Sequence, residues 1–286
     1  MYSNVLEKTF SPIKINSLEL PNRILMSGMH MGYERDPDPY GRLANFIKVR
    51  AETDIGIIIV GGCSPDPSGR VIYSNGFCIS TDDHIVQHKR ITEVFKNNNS
   101  KSALQLCHFG REAFHKKLVS PSPVRCHANI YTPKEMTGEQ IEESIDNFAN
   151  AVLRARKSGY DAVEIVGSQG FLVHQFFAKR TNLREDEWGG SIENRARFAV
   201  EIIRKSRDLV GDDYPIIFRF PSLDMVAGGV DYDEFKQFIT IISKEKIDLV
   251  NVSIGWHDSP VPSIAMDVPD AAFSPVANFI KKEITK

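Results

Sequence analysis

The segment from residue 159 to residue 198 holds a high density of side chains that can bind ligands. It lies between an apolar strand and a long amphipathic helix, and it contains Arg180-Thr181-Asn182, Arg184, Asp186, Trp188-Gly189-Gly190-Ser191 and Glu193-Asn194-Arg195. Guanidinium, amide and carboxylate groups recognise charged and hydrogen-bonding partners, and paired glycines permit tight turns. Generic packing does not need this combination, so we expect the segment to border a functional site.

Other polar and glycine-rich residues follow the predicted strands. These strand ends read MSGMHMG (26–32), VGGC (60–63), LQLCH (104–108), IFRF (217–220) and SIGWHD (253–258). The small residues of the first let a flat ligand approach the backbone, although a tight turn with core methionines is the alternative. A buried amide such as Gln105 needs a hydrogen-bonding partner. Arg219 needs an anionic partner, which is either a ligand or the carboxylate of Asp224 or Glu164.

Short apolar runs alternate with amphipathic helices after a predicted hairpin of Ile13–Ile15 and Leu18–Leu20. The predicted strands are Arg23–Ser27, Gly56–Val60, Ala103–Cys107, Ala162–Val166, Ile216–Phe220 and Leu249–Ser253. The predicted helices are Arg42–Thr53, Ile85–Asn97, Gly138–Ser158, Ile192–Val210, Tyr232–Glu245 and Ala271–Glu283. Continuously apolar strands, each followed by a helix, indicate a parallel sheet covered on both faces. We expect an α/β fold of the TIM-type (β/α)₈ barrel class, with a single domain over residues 1–286.

The number of strands departs from a complete barrel. Six βα units can be placed before Lys286, whereas the closed barrel has eight. Two further units would need on the order of 60 residues. A six-stranded sheet leaves two edges that can associate with other strands, so we expect a barrel truncated before strands 7 and 8. The alternatives are a fragment, a split-gene product, a degenerate paralogue, or a domain that a homo-oligomer or a second chain completes.

The motifs of residues 159–198, together with the strand ends, resemble the signature of the old yellow enzyme family of FMN-dependent oxidoreductases. The resemblance is strongest to the flavin barrel of bacterial 2,4-dienoyl-CoA reductases, and it runs from Phe10 to about Lys281. It implies FMN as the cofactor and NAD(P)H as the electron donor. It also implies a small-molecule substrate with an activated alkene, of which an enoyl thioester is one example.

The resemblance also implies roles for individual residues. By position, the flavin contacts are Ser27, Gly28, Met29, Gly62, Gln105 and Arg219. Gln105 would meet the pyrimidine edge of the flavin, and Arg219 would stabilise negative charge on the reduced ring. The substrate contacts would be Gln169, Arg180 and His257, with His257 orienting or polarising a thioester carbonyl.

Three positions depart from the family pattern. Phe171 replaces the tyrosine of a GYL motif that donates a proton in the resembled enzymes, and phenylalanine has no transferable proton. General acid catalysis contributes about 10²–10⁴-fold, so a large loss is expected unless His174 or water replaces the tyrosine. The catalytic candidates are therefore His257 and the position of Phe171. Val166 and Gln169 replace the polar pair that binds an enone oxygen in many old yellow enzymes.

The expected function follows from this resemblance. It is hydride transfer between NAD(P)H, flavin and an activated alkene. The alternative is a non-catalytic or partner-dependent derivative with weak flavin binding, because the barrel loops that hold the flavin phosphate follow strands 7 and 8. A third alternative is flavin chemistry that needs no acid, such as oxidation of NAD(P)H by oxygen.

Composition excludes several other classes of protein. A net charge of −2 over 286 residues argues against nucleic acid or an anionic membrane as the main partner. The N-terminal residues lack a secretory leader, which is typical of a cytoplasmic protein. The four cysteines, Cys63, Cys78, Cys107 and Cys126, are expected to be free thiols. Their spacing fits neither an iron–sulfur cluster nor a metal site, so we expect neither in this chain.

Overall fold

The structure is a computed structural model that describes residues 2–72, 77–260 and 268–284. Its helices are Tyr2–Thr9 (α1), Pro39–Ala51 (α2), His84–Thr92 (α3), Gly138–Lys157 (α4), Leu172–Phe177 (α5), Ile192–Val210 (α6), Tyr232–Ile242 (α7) and Ser274–Ile284 (α8). Its strands are Ile13–Ile15 (β1), Leu18–Leu20 (β2), Leu25–Met26 (β3), Ile57–Cys63 (β4), Lys101–Leu106 (β5), Val119–Ser120 (β6), Lys134–Glu135 (β7), Ala162–Val166 (β8), Ile216–Leu223 (β9) and Leu249–Ile254 (β10). Within the described ranges, every helix is too short or too polar to cross a membrane.

Six parallel strands form the central sheet in the order β10-β9-β8-β5-β4-β3. Helices connect successive strands, so the carboxyl ends of all six strands lie at the same edge of the sheet. The sheet is curled, so that its two edge strands, β3 and β10, line one cavity of about 310 Å³. The fold is a partial (β/α)₈ barrel, as predicted.

Side-chain alternation along the strands divides the apolar residues into two layers. One layer lies inside the curled sheet and contains Ile57, Ile59, Ala103, Ala162 and Ile217. The larger layer packs between the outer face of the sheet and the helices. The β1–β2 hairpin adds Ile15 and Leu20 to the inner layer, so it covers the end of the sheet opposite the strand carboxyl ends. Each fully buried aliphatic side chain contributes about 1.5–3 kcal/mol.

The predicted elements agree with the structure most closely where sequence signals are strong. The hairpin, β8 and α6 have the predicted boundaries, and the Ser191 hydroxyl accepts a hydrogen bond from the Asn194 amide at the start of α6. The predicted strand Arg23–Ser27 is only the two-residue β3, because it pairs on one side alone. The prediction of a continuous helix to Asn97 is wrong, since α3 ends at Thr92 and a 3₁₀ turn follows.

Two helices and one small sheet were not predicted. The helix α5 has six residues, and all six side chains are buried. It therefore lacks the polar face on which periodicity analysis depends. The helix α1 and the two-stranded sheet of β6 and β7 lie in segments where the sequence shows no clear period.

The buried side chain of Arg207 joins α6 to the segment that leads into β10. Its buried guanidinium lies 2.7 Å from Asp248 Oδ2 and also donates to the carbonyls of Lys246, Gly211 and Tyr214. Breaking a buried ion pair by removing one partner costs about 3–5 kcal/mol, so Arg207→Met should lower the free energy of unfolding by about this amount in urea denaturation.

Arg204 on the same helix is the matched control for this experiment. Its ion pair with Glu245 is largely exposed on the arginine side, and surface pairs contribute less than about 1 kcal/mol. If Arg204→Met and Arg207→Met lowered the free energy of unfolding equally, the claim that Arg207 holds α6 to the sheet would be contradicted.

Candidate active site at the carboxyl ends of the strands

A buried carboxylate organises the interior of the curled sheet. Glu164 on β8 is completely buried. Its Oε1 accepts a hydrogen bond of 2.6 Å from the Gln105 side chain on β5, and its Oε2 accepts one of 2.6 Å from the Asn251 side chain on β10. Burial raises the pKa of Glu164, and the two amide donors and the charge of Arg219 oppose that rise. The three side chains thus connect three strands across the interior.

This junction fixes the position of Gln105 beneath two glycines. A Cβ atom at Gly28 would lie 2.7 Å from Gln105 Nε2, and a Cβ atom at Gly61 would collide with the Gln105 side chain. The amide cannot move aside freely, because Glu164 holds it. Glycine is therefore required at both positions, and the backbone after β3 and at the end of β4 comes close to Gln105.

Arg219 lies on the same inner face as Gln105. It pairs in register with Val166 on β8 and Asn251 on β10. Within the described ranges it forms no ion pair with an acidic side chain, and its buried Nε makes no hydrogen bond. The alternative of a salt bridge to Asp224 or Glu164 is wrong: Asp224 lies 3.0 Å from His174, and Glu164 is bound by two amides.

An aromatic cluster lies above the polar layer. The Phe171 ring meets Phe109 edge-on at a centroid distance of 5.0 Å and His257 at 5.2 Å. His257 is exposed, and Phe171 is half-buried. Their rings therefore face the same space at the mouth of the barrel, and His257 is the member of this cluster that can exchange a proton.

Asp258 anchors the loop that carries His257. Its Oδ2 lies 2.5 Å from Arg111 Nη2 and 3.4 Å from Arg180 Nε. Burial would raise the pKa of Asp258, but the charge and hydrogen bond of Arg111 and the charge of Arg180 lower it overall. Part of the Arg180 guanidinium, which was predicted to contact the substrate, is therefore already paired with Asp258.

The remaining predicted residues take different positions. Ser27 and Met29 are exposed after β3, and Gly62 is half-buried in β4. Gln169 adopts a left-handed backbone conformation with φ of 64° and bridges to Trp256. His174 is fully buried and accepts a hydrogen bond from the Gly170 amide, so it does not face the aromatic cluster and does not replace the tyrosine.

The four cysteines are free and buried, as predicted. Cys126 belongs to a group with Glu112 and Asp258 whose potential ligand atoms lie within 4.8 Å of one another. These atoms already interact with the protein: the Cys126 thiol lies 2.8 Å from Glu112 Oε2, and Asp258 binds Arg111.

Sequence reasoning missed the partners of the predicted residues. Asn251 was not identified, and Glu164 was considered only as a partner of Arg219. Both are single polar residues within apolar strands, on the same inward-facing positions as Gln105 and Arg219. Their place at alternate positions of the strand, in step with the other inward-facing residues, is the sequence feature that could have identified them.

Comparison with known proteins decides the family. The sequence profile of the NADH:flavin oxidoreductase / NADH oxidase family matches residues 8–283. The chain belongs to this family. It is 36% identical over 282 residues to a metal reductase of Desulforamulus reducens, covering 96% of this chain and 42% of that protein. It is 34% identical over 253 residues to an NADPH dehydrogenase of Bacillus subtilis, covering 87% and 73% respectively.

Solved structures of this old yellow enzyme superfamily share the fold. A 2-naphthoyl-CoA reductase in complex with 2-naphthoyl-CoA superposes with a TM-score of 0.91 at 27% identity, covering 96% of this chain and 45% of that one. A morphinone reductase in complex with tetrahydroNAD gives a TM-score of 0.75 at 27% identity, covering 85% and 72%. The chain thus spans less than half of the metal reductase and of the naphthoyl-CoA reductase.

The family uses FMN with NAD(P)H, and the residues at the strand ends fit a flavin ring. The Gln105 amide oxygen accepts no hydrogen bond from the described residues, and Arg219 Nε likewise lacks a partner there. The backbone at Gly28 and Gly61 lies directly against the Gln105 side chain. A planar ring with donors and acceptors on one edge satisfies these groups.

The anchoring role of Asp258 predicts a pH dependence of stability. Because the folded-state pKa of Asp258 is lowered, its ion pair contributes stability above the unfolded-state pKa of about 3.9 and loses it as the pH falls through the folded value. The free energy of unfolding should therefore fall less steeply between about pH 5 and pH 2 in Asp258→Asn than in the unsubstituted protein. Parallel curves would contradict this assignment.

Proposed function

We propose that this chain forms the FMN-binding barrel of an NAD(P)H-dependent oxidoreductase that reduces an activated alkene. The observation that carries the proposal is the layer formed by Gln105 and Arg219 beneath the aromatic cluster of Phe171 and His257. The first pair offers a hydrogen-bonding group and a cation for the flavin, with Ser27, Gly28, Met29 and Gly62 along its border. Bound FMN supplies hydride transfer.

The residues of the chain would orient the substrate and complete its reduction. His257 would hydrogen-bond the carbonyl that activates the alkene, drawing electron density from the carbon that accepts the hydride. Arg180 and Gln169 would border the same space. The neighbouring carbon takes a proton, which Phe171 cannot give, so water or His257 must donate it. A conjugated thioester carbonyl of the 2,4-dienoyl-CoA type fits this arrangement.

A second function is favoured by Phe171 itself. Oxidation of NAD(P)H by oxygen needs no protein acid at this position, and the chain is 34% identical over 257 residues to an NADH oxidase of Thermoanaerobacter brockii. Steady consumption of NAD(P)H by the FMN-loaded protein without any alkene would support this function over alkene reduction.

A non-catalytic or partner-dependent role remains the alternative from another class. Its supporting observation is the cavity between the edge strands β3 and β10, lined by Leu25, Ile57, Leu249 and Val252 among others. A second chain, or a second copy of this one, would cover it by adding strands. Flavin binding that appears only when such a partner is added would favour this role.

Restoring the family tyrosine is the direct test of alkene reduction. Phe171→Tyr should raise kcat for a conjugated enone or enoyl thioester by about 10²-fold, because it adds a general acid beside His257. The matched control is Phe109→Tyr, which adds the same hydroxyl to the adjacent ring. Absence of alkene reduction in both the unsubstituted protein and Phe171→Tyr, with FMN bound, would overturn the proposal.

Removing the imidazole tests the role of His257. His257→Phe keeps an aromatic ring against Phe171 but loses the hydrogen bond to the substrate carbonyl, so kcat/KM should fall about 10-fold or more. FMN absorbance should be unchanged, which separates loss of substrate activation from loss of the cofactor. An unaffected kcat/KM would exclude His257 from catalysis.

A further inference from the structure

A cavity outside the flavin layer carries an excess of basic side chains. It measures about 410 Å³ and lies between the loop after β4, the segment leading into β6 and β7, and the first turns of α4. Lys116, Lys117 and Lys134 line it. This volume is within the range of small-molecule sites, roughly 300–1,000 Å³.

Two of these lysines, Lys116 and Lys134, are not neutralised by the acidic residues that share the cavity. Lys116 and Lys134 form no ion pair with any described residue. Asp66 is occupied, because its Oδ1 accepts hydrogen bonds from Ser68 and the Gly69 amide, while its Oδ2 lies 3.5 Å from His108. Glu143 is exposed at the rim and is the one other acidic residue of the lining.

The opposite wall is one face of α4. Gln140, Glu143, Ser144 and Asn147 follow one another at helical spacing along the cavity. Ser144 is 4% exposed, and its hydroxyl makes no hydrogen bond with the described residues. The wall begins two residues into the helix, where the helix dipole favours negative charge. The excess of cations, the unpartnered Ser144 hydroxyl and the helix dipole all favour an anion in this cavity.

A layer of side chains that includes His108 and Phe109 connects the cavity to the aromatic cluster. Ser68, which lines the cavity, lies 3.1 Å from His108 through its hydroxyl. The next residue, Phe109, packs against Phe171. A ligand with its anionic end in the cavity could therefore extend over this layer and bring its other end to the aromatic cluster.

We propose that this cavity binds the phosphorylated nucleotide portion of a ligand whose reactive end lies at the aromatic cluster, with Lys116 and Lys134 as its phosphate contacts. The claim that the reactive end of this ligand lies at the aromatic cluster rests on the proposed function. The claim that the cavity binds a phosphate group is independent of it. Two ligands share this chemistry: a coenzyme A thioester, which carries a 3′-phosphate on its adenosine, and NADPH, which carries a 2′-phosphate.

The test is direct binding of nucleotide probes without flavin. Adenosine 3′,5′-bisphosphate and adenosine 2′,5′-bisphosphate should each be titrated by calorimetry against the full chain. We expect saturable binding of one or both, about 10-fold weaker in Lys116→Gln/Lys134→Gln and weaker at high salt. The probe that binds more tightly identifies the thioester or the nicotinamide source.

Two controls keep the result interpretable. Lys236→Gln removes an exposed lysine of α7 that lies outside the cavity and should leave binding unchanged. Glu143→Gln removes the acidic group at the rim and should strengthen binding. No saturable binding of either probe, or equal affinity in the double variant and the unsubstituted protein, would overturn the proposal.

Kinetics distinguish this inference from the proposed function. With NADH as the electron donor and a small enone that has no phosphate, the double variant should retain full turnover. KM for the phosphorylated ligand, either NADPH or the coenzyme A thioester, should rise at unchanged kcat. Absence of turnover with intact probe binding would contradict the proposed function alone. Turnover with no probe binding would contradict the phosphate site alone.

Discussion

The candidate site depends on the two hydrogen bonds that the buried carboxylate of Glu164 accepts. A charged group buried inside a curled sheet is costly unless hydrogen bonds satisfy it, and here the amides of Gln105 and Asn251 do so. These bonds connect β5, β8 and β10, and they hold Gln105 where it excludes any side chain at Gly28 and Gly61. The requirement for glycine at two strand ends therefore follows from a carboxylate on a third strand.

The aromatic cluster depends on a second long-range constraint. The Arg111–Asp258 ion pair joins residues 147 positions apart, and it fixes the loop on which His257 meets Phe171. Phe171 packs into this cluster on both sides but has no proton to transfer. The packing of this cluster therefore does not depend on a group that can donate a proton at position 171.

The sequence predicts the parts of this structure that depend on local patterns. The apolar run around Gln105 predicts that its amide is buried, and the amphipathic pattern of α6 predicts both ends of that helix. The pairing of Asn251 with Glu164 could not be predicted, because a polar residue in a strand does not reveal which distant strand supplies its partner. The helix α5 could not be predicted because all six of its residues are buried. Without an exposed polar face, its sequence shows no helical alternation of polar and apolar residues.

The most direct test of the account is a titration of FMN followed by its visible absorption spectrum, comparing the unsubstituted protein with Gly28→Val. The account predicts a saturable shift of the flavin bands with the unsubstituted protein. It predicts loss of that shift in Gly28→Val, whose side chain would displace Gln105, while circular dichroism remains unchanged. A free-flavin spectrum throughout the first titration, or equal shifts in both proteins, would contradict the claim that Gln105 and the two glycines form the flavin site.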